Sequence, residues 1–240
     1  MVGAGSPMVA LAGPAGPAGP AGTPAGYRLL VLEGGVAKWG EPVLGAGALV
    51  TYAVVERERS FDDAINCSTV APIDRLLSAN RIDRAVFEAE LRAAFSAWAD
   101  VASIRFRRSD PAAADILIGA DGERRGRAFT NVDARSVGGD PRPIDRAVIC
   151  LNPAQPWKIG FDGDLEVYDI RYTLMHEIGH AIGLNHPSAP GSVMDFRYRE
   201  AFSDLQPGDI AGVTALYGPK RLAVDAAMPV AERATHRPDL

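Results

Sequence analysis

The stretch His176-Glu177-Ile178-Gly179-His180 places two imidazoles four residues apart, with a carboxylate directly after the first. On a helix, residues i and i+4 share a face, so both rings can reach one ion at roughly 2.0–2.1 Å. Glu177 then falls where its carboxylate meets the water on the metal without itself ligating, which is the position of a general base. Gly183 follows His180 by three residues, where the helix must end abruptly, and glycine alone takes positive φ without steric cost. The chain can turn back there, bringing His186 in as a third nitrogen and leaving a fourth position open for water. Three neutral nitrogens leave a zinc ion its full double charge, which lowers the pKa of bound water towards about 7 and polarises a carbonyl. That chemistry is peptide hydrolysis, with Glu177 moving the proton from water to the leaving amine. The chain has only four histidines. Three of them meeting this spacing by accident has a probability on the order of 10⁻⁵, which disfavours coincidence. The fourth, His236, reads as an exposed histidine of the C-terminal stretch.

Such a site needs a scaffold, and the surrounding patterns supply one. Tyr168 to Leu184 reads as the helix that carries the first two histidines, ended near Gly183. Ile82 to Val101 sets Val86, Phe87, Leu91, Ala94, Phe95 and Trp98 at helical spacing, predicting a long amphipathic helix. A third helix is expected from Pro207, suited to the first helical position, to Tyr217, with Gly218-Pro219 as its stop. Ala48 to Val55, Ser103 to Phe106, Asp115 to Gly119 and Ala147 to Leu151 read as strands. Arg127 to Val132 reads as a partly exposed edge strand, followed by a loop from Gly138 to Pro143. Together these give an α/β (α+β) layer structure.

Composition limits what else the chain can be. At 240 residues and 47% hydrophobic content it can bury one good core. The net charge of -5 leaves no basic surface for a phosphate backbone, so nucleic acid is not expected as a partner. No apolar run approaches the roughly 20 residues of a membrane helix. Residues 1–26 are nearly all Gly, Ala, Pro and small apolar residues and read as a flexible segment, 27–218 as the catalytic domain, and 219–240 as a tail. No signal peptide is recognisable, since no Lys or Arg precedes Arg28 and prolines interrupt the apolar residues. Cys67 and Cys150 could form one bridge or remain two buried thiols, and their spacing does not decide between these. Asn66-Cys67-Ser68 matches the N-glycosylation triplet, a short pattern of little weight.

HEIGHAIGLNH followed by Ser192-Val193-Met194-Asp195 resembles the metzincin signature, in which a methionine turn lies beneath a three-histidine zinc site. The eight-residue step from His186 to Met194 is similar to that of matrixins, the matrix-metalloproteinase group. Trp39 before VTYAVV, the Phe87–Trp98 helix, ADILIG, RAVICLNP and DIAGVTALYG extend the likeness over roughly Lys38 to Gly218. The resemblance implies a twisted, mostly parallel five-stranded sheet with an antiparallel edge strand and three helices. It implies one catalytic zinc, a monomer acting on polypeptide substrates, and an extracellular or periplasmic location. Ala128, Phe129 and Thr130 would lie on the edge strand that binds an extended peptide through main-chain hydrogen bonds. Tyr198 would wall the primed-side pocket, although Phe196 stands where matrixins carry proline. Other departures are the missing PRCGxPD thiol switch, the lack of histidines for a second zinc, Gly208 in place of the first of two paired acids, and Pro187, which is similar to serralysins. Calcium is open but unsupported, since Asp162, Asp164 and Glu166 fit no regular calcium loop and read as a solvated acidic turn. The competing expectation is a catalytically silent zinc-binding module that recognises peptides through the same groove.

Overall fold

The computed structural model describes residues 26–62, 64–121, 126–134 and 139–220. The Gly/Ala/Pro-rich segment except Gly26, the tail beyond Lys220 with His236, and Gly138 lie outside the described residues. In chain order the elements are β1 (Arg28–Leu29), β2 (Val31–Leu32), β3 (Gly35–Lys38), β4 (Ala48–Val54), β5 (Arg59–Ser60), β6 (Thr69–Val70), α1 (Asp74–Asn80), α2 (Arg84–Val101), β7 (Ile104–Arg108), β8 (Ile116–Ala120), β9 (Ala128–Ala134), β10 (Arg142–Leu151), β11 (Trp157–Lys158), β12 (Tyr168–Asp169), α3 (Ile170–Ala181), β13 (Leu184–Asn185) and α4 (Pro207–Tyr217).

Strands β7, β4, β8 and β10 lie parallel in that order, and β9 pairs antiparallel with β10. This is the mostly parallel five-stranded sheet with an antiparallel edge that the resemblance implies. A short hairpin extends it, β3 running parallel to the start of β10 and β2 antiparallel to β3. The central strands are continuous apolar runs because both their faces are covered: every residue of β8 is buried. One face packs α2 and α3, with Phe87, Leu91, Phe95 and Trp98 buried in the main core. Each such side chain contributes roughly 1.5–3 kcal/mol by burial. The other face holds a smaller cluster around Cys67, Val70, Leu117, Val148 and Cys150. The two cysteines form a disulfide with Cα atoms 5.9 Å apart, which settles their pairing.

Helix ends differ from the periodicity-based expectation. Helix α2 begins only at Arg84, because Asp83 caps it by accepting from the Ala85 N–H at 2.7 Å. Residues Asp74–Asn80 form an additional helix, α1, which no long stripe announces and which ends at Arg81 with φ 54°. Helix α3 is shorter than Tyr168–Leu184, since Asp169 caps it through the Tyr172 N–H at 2.7 Å while Tyr168–Asp169 pair with Trp157–Lys158. Leu184, where that helix was expected to end, instead lies with Asn185 in β13, which pairs antiparallel with Arg28–Leu29. Strand β10 starts at Arg142, inside the segment expected as loop. At the C-terminal boundary, Pro219 bridges to Ala102 and Lys220 pairs with Asp100, so the folded body reaches two residues beyond 218.

Candidate active site

Helix α3 lies in the main core with nearly every side chain from Ile170 to Gly179 buried, which fixes its rotation. The stripe that includes Tyr172, His176 and His180 therefore has one set direction. The helix ends between Ile182 and Gly183, and its last carbonyls find remote donors. The Trp39 indole donates to Ala181 O at 2.8 Å, the Tyr217 hydroxyl to Ile182 O at 2.7 Å, and the Leu30 N–H to Gly183 O at 2.8 Å. Gly183 itself has φ 101°, and a Cβ there would lie 2.1 Å from Ala37 O. No other residue fits that turn, which delivers β13 and then His186 to the end of α3.

The three imidazoles meet. His176 Nε2 lies 3.1 Å from His186 Nε2 and 3.2 Å from His180 Nε2, and the remaining pair is 3.1 Å apart. These are not ordinary hydrogen bonds. His176 Nδ1 donates to Val193 O at 2.7 Å and His180 Nδ1 to Leu184 O at 2.9 Å, so the Nε2 atoms of both carry lone pairs. Burial pushes the His176 ring well below its ordinary pKa, with His180 and Arg127 adding to the effect. Burial likewise drives His186 to about 3, again helped by His180 and Arg127. Neutral rings with converging lone pairs repel unless a cation sits among them. Ligands at roughly 2.0–2.1 Å around a tetrahedral ion are about 3.4 Å apart, close to these separations. The donor set therefore fits zinc, with His176 buried and the other two rings half-exposed.

Glu177 is buried on the same turn of α3. Its Oε2 accepts from the Thr130 hydroxyl at 2.7 Å, and that hydroxyl also lies 3.1 Å from the Glu177 carbonyl. Thr130 stands on β9, whose outer edge pairs with no strand among the described residues. Its neighbours on that strand alternate: Ala128 enters the main core, while Phe129 packs on the disulfide side of the sheet. Only Thr130 of the three edge-strand candidates presents its side chain to the Glu177 carboxylate.

Beneath the helix, Met194 packs so tightly that a Cβ on Gly179 would lie 2.2 Å from its sulfur. The methionine turn is held by Asp209, a buried carboxylate that accepts from the N–H groups of Val193 at 2.9 Å, Met194 at 3.1 Å and Gln206 at 2.8 Å. Asp209 reaches them from the first turn of α4. Tyr198 accepts from the Asp169 N–H at 2.9 Å and donates to Glu200 at 2.8 Å, and its ring stands edge-on to Tyr168 and Tyr172. The acidic turn is exposed, as expected of a solvated turn, and Lys158 reaches its Asp162 carboxylate and Asp164 O as well as Glu200. A cavity of about 280 Å³ opens beside Glu90, Phe161, Arg171 and Met175, but neither Glu177 nor any of the three histidines lines it.

A sequence model of the matrixin family matches residues 75–218, more than half of the chain. The chain belongs to the matrixins. Among curated relatives, this matrixin is 27% identical to human matrix metalloproteinase-20 over 76% of its own length and 37% of the relative's. It is 32% identical to metalloendoproteinase 1-MMP of Arabidopsis thaliana over 56% of its length and 39% of that protein's. It is 40% identical to a probable matrix metalloproteinase, 095L, of Invertebrate iridescent virus 3, over 36% of its length and 22% of the viral protein's. The matrixin thus spans less than half the length of these relatives. Membership places it in a family of metalloproteases, and its histidine cluster is compatible with the zinc that the family implies.

Proposed function

We propose that this chain is a zinc-dependent endopeptidase in which His176, His180 and His186 hold the metal and Glu177 is the general base. The observation that carries the reading is the meeting of three Nε2 atoms within 3.2 Å beside a carboxylate held by Thr130. Bound zinc supplies Lewis acidity, polarising the scissile carbonyl and lowering the pKa of water. Thr130 occupies Oε2 of Glu177, which leaves Oε1 to take the proton of the attacking water and return it to the leaving amine nitrogen. The peptide lies extended and antiparallel along the unpaired edge of β9, with Tyr198 walling the side that receives the residues after the cut. Met194 supports the ligand helix from below, and Gly183 makes the turn to the third ligand.

The Cys67–Cys150 bridge supports work in an oxidising compartment, outside the cytosol. Casein or a fluorogenic peptide tests the activity: hydrolysis lost with 1,10-phenanthroline and restored by added zinc is the expected result. Tight, stoichiometric zinc with peptide binding but no hydrolysis would establish the silent recognition module instead.

A further inference from the structure

Arg127 stands immediately before β9, and its guanidinium carbon lies 5.8 Å from the Tyr168 ring centre and 5.7 Å from that of Tyr198. Elsewhere the guanidinia of Arg84, Arg108, Arg142, Arg146, Arg171 and Arg199 meet carboxylates. Among the described residues, no carboxylate lies within 4.0 Å of Arg127. Both rings lie within cation–π range of the half-buried side chain. Its five N–H donors lie in the guanidinium plane and are the natural partners of a carboxylate.

Position along the strand says which part of a peptide it would meet. Thr130, beside Glu177, marks the point of cleavage, and Arg127 lies three residues earlier, about 10 Å at roughly 3.3 Å per residue. A peptide antiparallel to β9 passes this end with the residues that follow the cut. We propose that Arg127, seated against the Tyr168 and Tyr198 rings, forms a carboxylate subsite for an acidic group within about three residues after the scissile bond. The group is an Asp or Glu side chain or a free C-terminal carboxylate. This assignment rests on the peptide-cleft reading of β9.

The test uses fluorogenic peptides of one sequence with amidated ends, carrying Glu or Gln at each of the first three positions after the cut. A second arm ends one, two or three residues after the cut as free acid or amide. Discrimination is read as a kcat/KM ratio, and independently as binding by fluorescence anisotropy to the Glu177→Ala protein, which needs no turnover. In at least one position the acidic form is favoured by about tenfold, the scale of a charge-assisted hydrogen bond. The ratio falls to near one in Arg127→Met and Arg127→Gln and survives in part in Arg127→Lys. Whichever arm shows the effect identifies side chain or terminus as the source. Equal handling of acidic and neutral peptides by the parent protein, or a preference unchanged in Arg127→Met, overturns the subsite. Acid-selective binding without hydrolysis by the parent protein supports the subsite while removing the peptidase reading.

Discussion

Two of the three clustered imidazoles are committed to one tautomer by backbone carbonyls, Val193 O for His176 and Leu184 O for His180. The carboxylate between them is committed by one hydroxyl, that of Thr130. Thr130→Val removes this hydrogen bond while keeping the side chain's shape, and about a tenfold fall in kcat is expected at unchanged zinc content. Thr130→Ser, which restores the hydroxyl, should recover most of it; steady-state kinetics beside metal analysis checks both. The histidine cluster and its neighbouring carboxylate were legible in the sequence because they fall within eleven consecutive residues, two rings related by the helix and the third carried back by the turn at Gly183. The supporting groups were not. Thr130 lies 47 residues from Glu177, Asp209 lies 15 from Met194, and Val193 acts through a carbonyl that every residue possesses.

At the scale of elements, the site depends on how α3 stops and how the chain after it is carried back. Gly183→Ala would force a Cβ against Ala37 O at a backbone angle that disfavours it, and should cost about 2–4 kcal/mol in urea unfolding. Zinc affinity should fall with it, since His186 is placed by that turn. Asp209→Ala strands the N–H groups of Val193, Met194 and Gln206, and a loss of about 2–4 kcal/mol is likewise expected, with weaker metal retention on dialysis. Helix α2 was readable from its stripe of Phe87, Leu91, Phe95 and Trp98. The shorter α1 was not, because seven residues without a side-chain cap, ended at Arg81, leave no periodic signal. Helix α3 was read too long because periodicity continues through Tyr168 and Leu184, whereas pairing with Trp157 and Leu29 claims those residues for strands.

Over the whole molecule, the sheet separates a large core under α2 and α3 from a smaller one stapled by Cys67–Cys150. The bridge closes a loop across a sequence separation of 83 residues, so Cys67→Ser with Cys150→Ser should lower stability by about 2–4 kcal/mol, read by urea unfolding against the oxidised parent. Acid should act on the metal-free protein in a defined direction. The folded pKa of His186 is depressed to about 3 from an ordinary 6.5, so the unfolded chain binds the proton that the folded one refuses. The stability this group contributes is present above about pH 6.5 and is lost as pH falls towards 3. His186→Gln should flatten that slope in unfolding measured from pH 7 to pH 4. The alternating strands and helices made the layer architecture legible, while the disulfide was not, since only the fold brings β10 beside Cys67.

The central claim is that one cation held by three histidines and one carboxylate beside it together cleave a peptide bond. Metal content and hydrolysis of one fluorogenic peptide, measured side by side for the parent and Glu177→Ala, test it most directly. The account predicts about one zinc per chain in both proteins and a fall in turnover of at least about 10²-fold in the variant. Absence of stoichiometric zinc after reconstitution, or equal turnover by the two proteins, would contradict it.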